Sequence, residues 1–131
     1  MKALSLKQPW ADLIVSGVKP IENRKWKSSY RGPLLIHASK NPDKEGAKWI
    51  VDHFPELKDL IYWTNHLKGK IIGQVNMVDC VEEHSSPWFF GPYGFIFHSP
   101  CEWPREKAIP YKGLLGIFEV SGIILVEVDN D

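Results

Sequence analysis

The apolar residues of this chain come in short runs that glycine, proline and polar residues repeatedly interrupt. Lys2 to Lys7 alternates leucine with polar residues, as a half-buried strand does. Further strand candidates are "LLIHAS", "KIIGQVNMVDCV", "YGFIFHS" and "GLLGIFEVSGIILVEV". Short strands of this kind pair mostly antiparallel, and a small barrel closes its own edges. The sequence therefore predicts an α+β fold, a small mixed β-barrel with two to three flanking helices.

Helical patterns occupy three segments between these strands. The first begins at Pro9 and ends at Gly17, which suits a left-handed residue after a helix. The second follows Asn41-Pro42-Asp43, with a cap and with proline at the first helical position. The third runs from Pro55 to about Leu67, and Gly73 in the strand after it predicts a bend or bulge.

Length and composition indicate one folded domain over residues 1–131, without repeats or linkers. Hydrophobic residues make up 44% of the chain and aromatic residues 12%, which excludes disorder as its main state. No apolar run approaches the roughly 20 residues that cross a bilayer, so neither a membrane span nor a signal peptide is expected. The expected location is cytoplasmic, with the two cysteines as free thiols.

The charges are unevenly distributed along a chain whose formal net charge is zero. Residues 1–40 carry eight lysines and arginines against two acids, whereas residues 41–131 carry eight against fourteen. Five of the cations fall within 13 positions, with Glu22 as the only acid among them: Lys19, Arg24, Lys25, Lys27 and Arg31. Such a segment suits a face that meets phosphate, although an ordinary solvated loop explains the charge pattern equally well.

Glu22 and Arg24 lie two positions apart in an extended segment, so both side chains point to one side of the strand. One interpretation is a surface ion pair worth less than about 1 kcal/mol. The other is that Glu22 orients Arg24 as a fork for phosphate or carbonyl oxygen, while Lys19 adds a mobile positive charge. Trp10 and Trp26 flank the segment with rings that could stack on nucleobases.

Two cysteines and two histidines have spacings that a tetrahedral zinc site would tolerate: Cys80, His84, His98 and Cys101. However, Cys80 continues an apolar strand pattern, in which cysteine commonly acts as a small hydrophobic residue. We therefore predict neither a metal nor a cofactor.

Four aromatic residues are concentrated around one loop: Trp88, Phe89, Phe90 and Tyr93. They could fill the core of a small barrel or form a pocket wall around a planar ligand. Because Phe89 and Phe90 are adjacent, one is expected to point inward and the other outward.

The chain contains no G-x-S-x-G elbow, Walker loop or H-E-x-x-H motif, so the enzyme classes that depend on them lose support. If the protein is an enzyme, a desolvated Lys19 could act as a general base. Glu82 or Glu83 could then supply an acid.

The stretches "SLKQPWADLIVSGVKPIENRKW" and "YRGPLLIHASK" resemble the ASCH domain, a module of a transcriptional coactivator and of many small microbial proteins. The G-x-K-x-x-E-x-R core of the family is matched by Gly17, Lys19, Glu22 and Arg24. Further matches are Gln8-Pro9-Trp10, Trp26 and Arg31-Gly32. The likeness covers about residues 2–120 and includes "GKIIGQVNMVDCV", "GPYGFIF" and "IPYKGLLGIFEV".

This resemblance implies a PUA-like fold with a cleft lined by the core motif, and a protein that binds RNA. Some family members hydrolyse acylated cytidine with a lysine, a threonine and a glutamate, and nuclease activity has been proposed for others. Lys19 matches that lysine, but Glu22 stands at the position of the threonine. A carboxylate cannot replace an alkoxide nucleophile in that mechanism, so the resemblance argues against this amidohydrolase activity.

The combined expectation is a protein that holds RNA or a modified nucleotide in a cleft, with DNA as an alternative ligand. The alternative function is hydrolysis of N4-acylated cytidine-type nucleosides or of RNA, in which Lys19 and Glu22 would be the catalytic residues. Association with transcription or translation complexes is a further expectation, and no membrane partner is expected. The expected ligand-binding residues are Gln8, Trp10, Lys19, Glu22, Arg24, Lys25, Trp26, Arg31 and Tyr93.

Overall fold

The structure, a computed structural model, describes residues 1–122. Its strands are β1 (Lys2–Leu6), β2 (Ile21–Arg24), β3 (Gly32–Ala38), β4 (Lys70–Val81), β5 (Tyr93–Glu102), β6 (Ile109–Pro110) and β7 (Ile117–Glu119). Its α-helices are α1 (Trp10–Val15), α2 (Lys44–His53) and α3 (Lys58–Tyr62), and short 3₁₀ turns occupy Pro55–Leu57 and Arg105–Lys107. Within this part of the chain no helix is long and apolar enough to span a membrane.

The strands form one mixed sheet in the order β2-β5-β4-β3-β1-β7, and β6 pairs with the beginning of β4. All neighbours are antiparallel except β1 and β3, which run parallel. The sheet curls into a half-barrel, so that Arg24 on β2 donates a hydrogen bond to the Ser5 carbonyl on β1, four places away in the strand order. The predicted α+β fold with a small mixed barrel and two to three helices is confirmed.

The core lies on both faces of the sheet. Leu34, Leu35 and Ile36 are consecutive on β3 and all fully buried, because α1 packs on one face and the segment around β7 covers the other. Trp88, from the aromatic loop, packs with α2 and α3 in a third apolar cluster, so this ring fills the core. Phe90 projects outward with 57% of its surface exposed.

The bend predicted near Gly73 is confirmed by a shift in strand register. Ile36 pairs with Gly73, but the next residue, His37, pairs with Ile71, so one residue of β4 is skipped. A side chain at Gly73 would place its Cβ 2.4 Å from the carbonyl oxygen of Cys101, and the close approach of β5 therefore requires glycine.

The second and third helices differ from their predicted bounds. Helix α2 begins at Lys44, because the carboxylate of Asp43 caps it by accepting a hydrogen bond from the Gly46 amide at 2.8 Å. The prediction that Pro42 occupies the first helical position was therefore wrong, because Pro42 precedes the cap. The helix predicted from Pro55 to about Leu67 is present only in its first part, as the 3₁₀ turn Pro55–Leu57 followed by α3. Helix α3 ends at Tyr62, and the His66 ring contacts the carbonyl of Ile61 at 3.0 Å, where a helical amide would otherwise bond.

The last predicted strand segment is described only in part. Its beginning is β7, which pairs with β1 and covers Ile117–Glu119. The remainder, from residue 123 onward, lies outside the described residues.

Candidate ligand-binding cleft

The curled sheet leaves a cleft of about 1680 Å³ beside the end of β1. Its walls come from the ends of β1 and β3, from β2 with the two residues after it, and from the segment 110–116 before β7. The predicted site residues among its lining are Trp10, Glu22, Arg24, Lys25 and Trp26. The fold thus brings the last two defined positions of the G-x-K-x-x-E-x-R motif, Glu22 and Arg24, to one concave surface.

Three charged side chains lie in series at the floor of this cleft: Arg24 and Glu22 line it, and Lys19 lies buried behind them. The ammonium Nζ of Lys19 lies 3.4 Å from Oε1 of Glu22, and Nε of Arg24 lies 3.0 Å from the other carboxylate oxygen. Glu22 therefore lies between two cations, and its two carboxylate oxygens accept one hydrogen bond from each of them. The predicted pairing of Glu22 with Arg24 is present in the structure.

Of the two cations that contact Glu22, Arg24 is the one that lines the cleft. Besides its bond to Glu22, its Nη2 donates to the Ser5 carbonyl at 3.0 Å, so two bonds to fixed oxygens hold the guanidinium plane. Nη1 has no hydrogen-bond partner among the described residues. The group is therefore oriented in advance and retains donors for a ligand oxygen.

Lys19 is buried, with 2% of its surface exposed, and it is not part of the cleft lining. Its Nζ donates to the Ile21 carbonyl and lies 5.2 Å from the centre of the Trp10 ring. Burial lowers the pKa of this ammonium, and the nearby Glu22 carboxylate partly opposes that change. The structure places Lys19 behind Glu22, where it can act on a ligand only through that carboxylate.

Two tryptophans border the charged floor. Trp26 is 37% exposed, and its ring meets Phe95 edge to face at 5.1 Å, which leaves aromatic surface open to the cleft. Trp10 is half-buried, and its indole N–H donates to the carboxylate of Asp43 at 2.9 Å, which fixes the ring. Trp26 is therefore the more accessible stacking surface.

Four lysines of the cleft lining come from separate parts of the chain: Lys7, Lys25, Lys40 and Lys112. Lys40 and Lys112 were missed by the sequence reasoning. Lys40 belongs to the positive excess of residues 1–40, which is the only signal that could have found it. Lys112 lies alone in the sequence, and only the folding of the segment 110–116 over the cleft brings it there.

Other predicted site residues lie away from the cleft lining. The buried amide of Gln8 bonds to Asp12 and to the Leu67 carbonyl. Arg31 donates to the carbonyls of Ser28 and Tyr30. Tyr93 pairs with Arg24 in the β2–β5 ladder. Lys27, Glu82 and Glu83 are exposed and also lie outside the cleft lining.

A serine and a histidine that the sequence reasoning missed form a second polar centre in the cleft. The parallel register of β1 and β3 puts Ser5 beside His37, and Ser5 Oγ lies 2.9 Å from Nδ1 of the ring. The other nitrogen, Nε2, lies 2.6 Å from the Tyr111 carbonyl oxygen. His37 is almost completely buried, and burial lowers its pKa, so the ring is neutral at neutral pH.

Three of the four residues weighed as zinc ligands lie along the β4–β5 ladder, and His84 lies in the loop between these strands. Cys80 pairs with Phe95, whereas Cys101 pairs with Gln74, six residues before Cys80 on the same strand. Six residues of extended strand span about 20 Å, too far for one metal ion. No cluster of three or more histidine, cysteine or carboxylate side chains suited to a metal occurs in residues 1–122.

The family model of the ASCH domain matches residues 4–127 of this chain. The chain therefore belongs to the ASCH domain family, whose PUA-like fold agrees with the curled sheet and three helices.

Two full-length relatives carry the name Activating signal cointegrator 1. The human protein is 31% identical over 134 residues and the mouse protein 34% identical over 132 residues. Each alignment covers 92% of this chain but only 22% of the relative, so the chain spans about a fifth of the length of either protein.

Proposed function

We propose that the cleft binds RNA or a nucleotide-like ligand, with Arg24 as its main anchor. The observation that carries this proposal is the orientation of the guanidinium, which two hydrogen bonds fix while Nη1 remains free of partners within residues 1–122. A planar fork of donors suits a phosphate or a base carbonyl. Membership of the ASCH domain family is consistent with RNA binding and supports this choice of ligand.

Glu22 and Lys19 hold Arg24 in position from the buried side of the cleft. Glu22 fixes the guanidinium at 3.0 Å, and Lys19 compensates the carboxylate from the buried side at 3.4 Å. A carboxylate oxygen of Glu22 could also accept a hydrogen bond from an exocyclic amine of a base. Lys19 is then a positioning residue, since its burial keeps it from touching a ligand.

Stacking and general electrostatic attraction complete the proposed site. The exposed ring of Trp26 would stack on one base, a contact worth about 1–3 kcal/mol in other proteins. The four lysines of the cleft lining would meet phosphates, which makes the affinity depend on salt concentration. Neither contact reads a base sequence, so the site would not select a particular sequence. Stacking on Trp26 requires an unstacked base, so the site would favour single-stranded or flipped nucleotides.

The alternative of a hydrolase on N4-acylated cytidine has less support. Its mechanism needs a hydroxyl at position 22, but Glu22 is a carboxylate tied to two cations. Participation in transcription-related complexes rests on the name of the two relatives and remains an expectation for this chain.

The test is the affinity of Arg24→Ala for a fluorescently labelled single-stranded RNA, measured by anisotropy. Loss of a charge-assisted contact of about 1.5–3 kcal/mol should weaken binding by roughly 10- to 150-fold. Arg105→Ala is the matched control, because Arg105 lies outside the cleft lining and donates to the Asn65 carbonyl. Equal affinities of the two variants would contradict the proposed site.

A further inference from the structure

We propose that Ser5 is an activated nucleophile, that His37 is its general base, and that the cleft can hydrolyse carboxylic esters. The substrate class would be an acyl ester of the nucleotide-like ligand, and in that respect the inference rests on the proposed function. The reactivity of Ser5 itself depends only on the hydrogen bonds and access described next.

The hydrogen bonds of His37 determine which ring nitrogen carries the proton. The Tyr111 carbonyl oxygen can only accept, so Nε2 at 2.6 Å must carry a hydrogen. In a neutral ring Nδ1 then has a free lone pair, and it lies 2.9 Å from Ser5 Oγ. The hydroxyl of Ser5 therefore donates to Nδ1, which is the hydrogen bond that removes a proton from an attacking serine.

The environment keeps the base available. The ring of His37 is 2% exposed and lies edge-on to Phe118, with 6.4 Å between the ring centres. Since burial disfavours the charged form, the imidazole is unprotonated and ready to accept a proton at neutral pH. The Tyr111 carbonyl holds the orientation of the ring and would support the positive charge that forms during attack.

Ser5 and His37 both belong to the cleft lining, so a ligand in the cleft can approach the hydroxyl. Gly113 packs over the pair without a side chain. A Cβ at that position would lie 2.7 Å from Cε1 of His37 and 2.9 Å from Ser5 Oγ. Arg24 donates to the main-chain carbonyl of Ser5, so a cation lies near the residue at which the carbonyl oxygen of a bound ester would gain negative charge.

The reaction has two balanced steps. Ser5 Oγ bonds to the ester carbon while its proton moves to Nδ1 of His37, and the alkoxide leaving group takes that proton as the carbon–oxygen bond breaks. Water then attacks the acyl-serine with His37 accepting its proton, which releases the carboxylic acid and regenerates the Ser5 hydroxyl. Water is the only co-reactant.

The Tyr111 carbonyl, which orients the His37 ring, determines which probe is suitable. A neutral carbonyl stabilises the imidazolium less than the carboxylate of a catalytic triad does. We therefore expect slow turnover of esters but measurable reaction with an alkyl fluorophosphonate. In that reaction Ser5 Oγ bonds to phosphorus, fluoride leaves, and His37 accepts the proton.

The experiment treats the whole chain with the fluorophosphonate and locates the adduct by peptide mass spectrometry. We expect one adduct on Ser5, formed about 10²-fold or more faster than on other serines because a general base assists it. Ser5→Ala should abolish that adduct. Ser39→Ala is the matched control, since Ser39 lines the same cleft but its hydroxyl contacts the Asn41 carbonyl instead of a histidine.

Two further variants separate reactivity from folding. His37→Gln should slow labelling of Ser5 by about 10²-fold while the thermal unfolding transition remains. If His37→Gln does not fold, Gly113→Ala serves instead, because its methyl group would press on the pair and should slow labelling. Absence of a Ser5 adduct, or equal labelling in urea-unfolded protein, would overturn the proposal.

The RNA measurement distinguishes this inference from the proposed function. If RNA does not bind but Ser5 reacts specifically, the nucleotide ligand is wrong and the nucleophile stands. If RNA binds through Arg24 and Ser5 is unreactive, the nucleophile is wrong and the proposed function stands.

Discussion

Two charged clusters, Lys19–Glu22–Arg24 and His66–Asp12, differ in whether a hydrogen-bond donor is left without a partner in residues 1–122. In the cleft, Glu22 holds Arg24 in place and leaves the guanidinium facing open space. In the other cluster, His66 contacts the Asp12 carboxylate through Nδ1 and the Ile61 carbonyl through Nε2. Because both partners of His66 are acceptors, the protonated ring has a partner for each of its N–H groups and retains no free donor.

The difference distinguishes a structural ion pair from the proposed binding site. The pair of His66 and Asp12 ties the end of α3 to α1 and has satisfied donors, so its removal should affect stability alone. In the series from Lys19 through Glu22 to Arg24, a buried lysine supports the carboxylate that holds a partly exposed arginine. Changes at its buried end should affect stability, whereas changes at Arg24 should affect ligand binding.

The largest expected effect is on the stability of Glu22→Ala. Removing the carboxylate leaves the buried Lys19 without its charge partner, which should lower the free energy of unfolding by about 3 kcal/mol. Urea denaturation followed by tryptophan fluorescence measures this. Lys48→Ala removes the exposed pair with Asp52 and should change little.

A Lys19→Met, Glu22→Gln double variant tests whether the loss in Glu22→Ala comes from leaving the Lys19 ammonium without a charge partner. It removes both buried charges together, so it should recover much of the stability lost in Glu22→Ala. If Glu22→Ala unfolds at the same urea concentration as the unchanged protein, the claim that Glu22 stabilises the fold through the buried Lys19 is incorrect.

The next effect concerns pH and the His66 cluster. The hydrogen bond to Asp12 raises the pKa of His66 above its usual range. The stabilisation is complete below the unfolded pKa of about 6.5 and is lost as pH rises through the higher folded pKa. Asp12→Asn should therefore lower the melting temperature most at pH 6 or below, and less as the pH increases.

Thermal melts of both proteins between pH 5 and 9 test this, with RNA affinity measured in parallel. The lowered pKa of His37 acts in the opposite direction, destabilising the fold as pH falls, but it is common to both proteins and cancels in the difference. A gap in melting temperature that grows with pH, or a loss of RNA affinity in Asp12→Asn, would remove the distinction between the two clusters.

The smallest effect is on salt dependence and compares two pairs of cations. Lys40 and Lys112 line the cleft, whereas Lys27 and Arg31 do not. Lys40→Ala with Lys112→Ala should weaken RNA binding several-fold and reduce the salt slope by about one for each lost phosphate contact. Lys27→Ala with Arg31→Ala removes the same formal charge and should leave the slope unchanged. Equal slopes in the two double variants would show that the charges act without a defined cleft.

The sequence predicts the local part of this site well and the distant part poorly. Strand periodicity alone puts Glu22 and Arg24 on one side, and the structure pairs them. A desolvated Lys19 was considered only for an enzyme, and its observed burial, with 2% of its surface exposed, depends on packing from the rest of the fold. A pattern two or three residues long cannot report how much surface the rest of the chain removes.

Ser5 and His37 show why the remainder was missed. They are 32 residues apart, and only the parallel pairing of β1 and β3 places them side by side. The third member of that centre, the Tyr111 carbonyl, is a main-chain group with no sequence signal at all. The predicted end of the third helix near Leu67 failed for a related reason, because His66 also contacts Asp12 in α1, 54 residues away in the sequence.

The most direct test of the central claim measures RNA affinity and melting temperature together for Arg24→Ala and Arg24→Lys, with Arg105→Ala as the control. The account predicts that all three keep their melting temperatures within a few degrees. It also predicts that affinity falls most for alanine, less for lysine, which keeps the charge but loses the fork, and hardly for Arg105→Ala. Unchanged affinity in Arg24→Ala, or a loss that appears only when the protein unfolds, would contradict the claim that this guanidinium is held in place to bind a ligand.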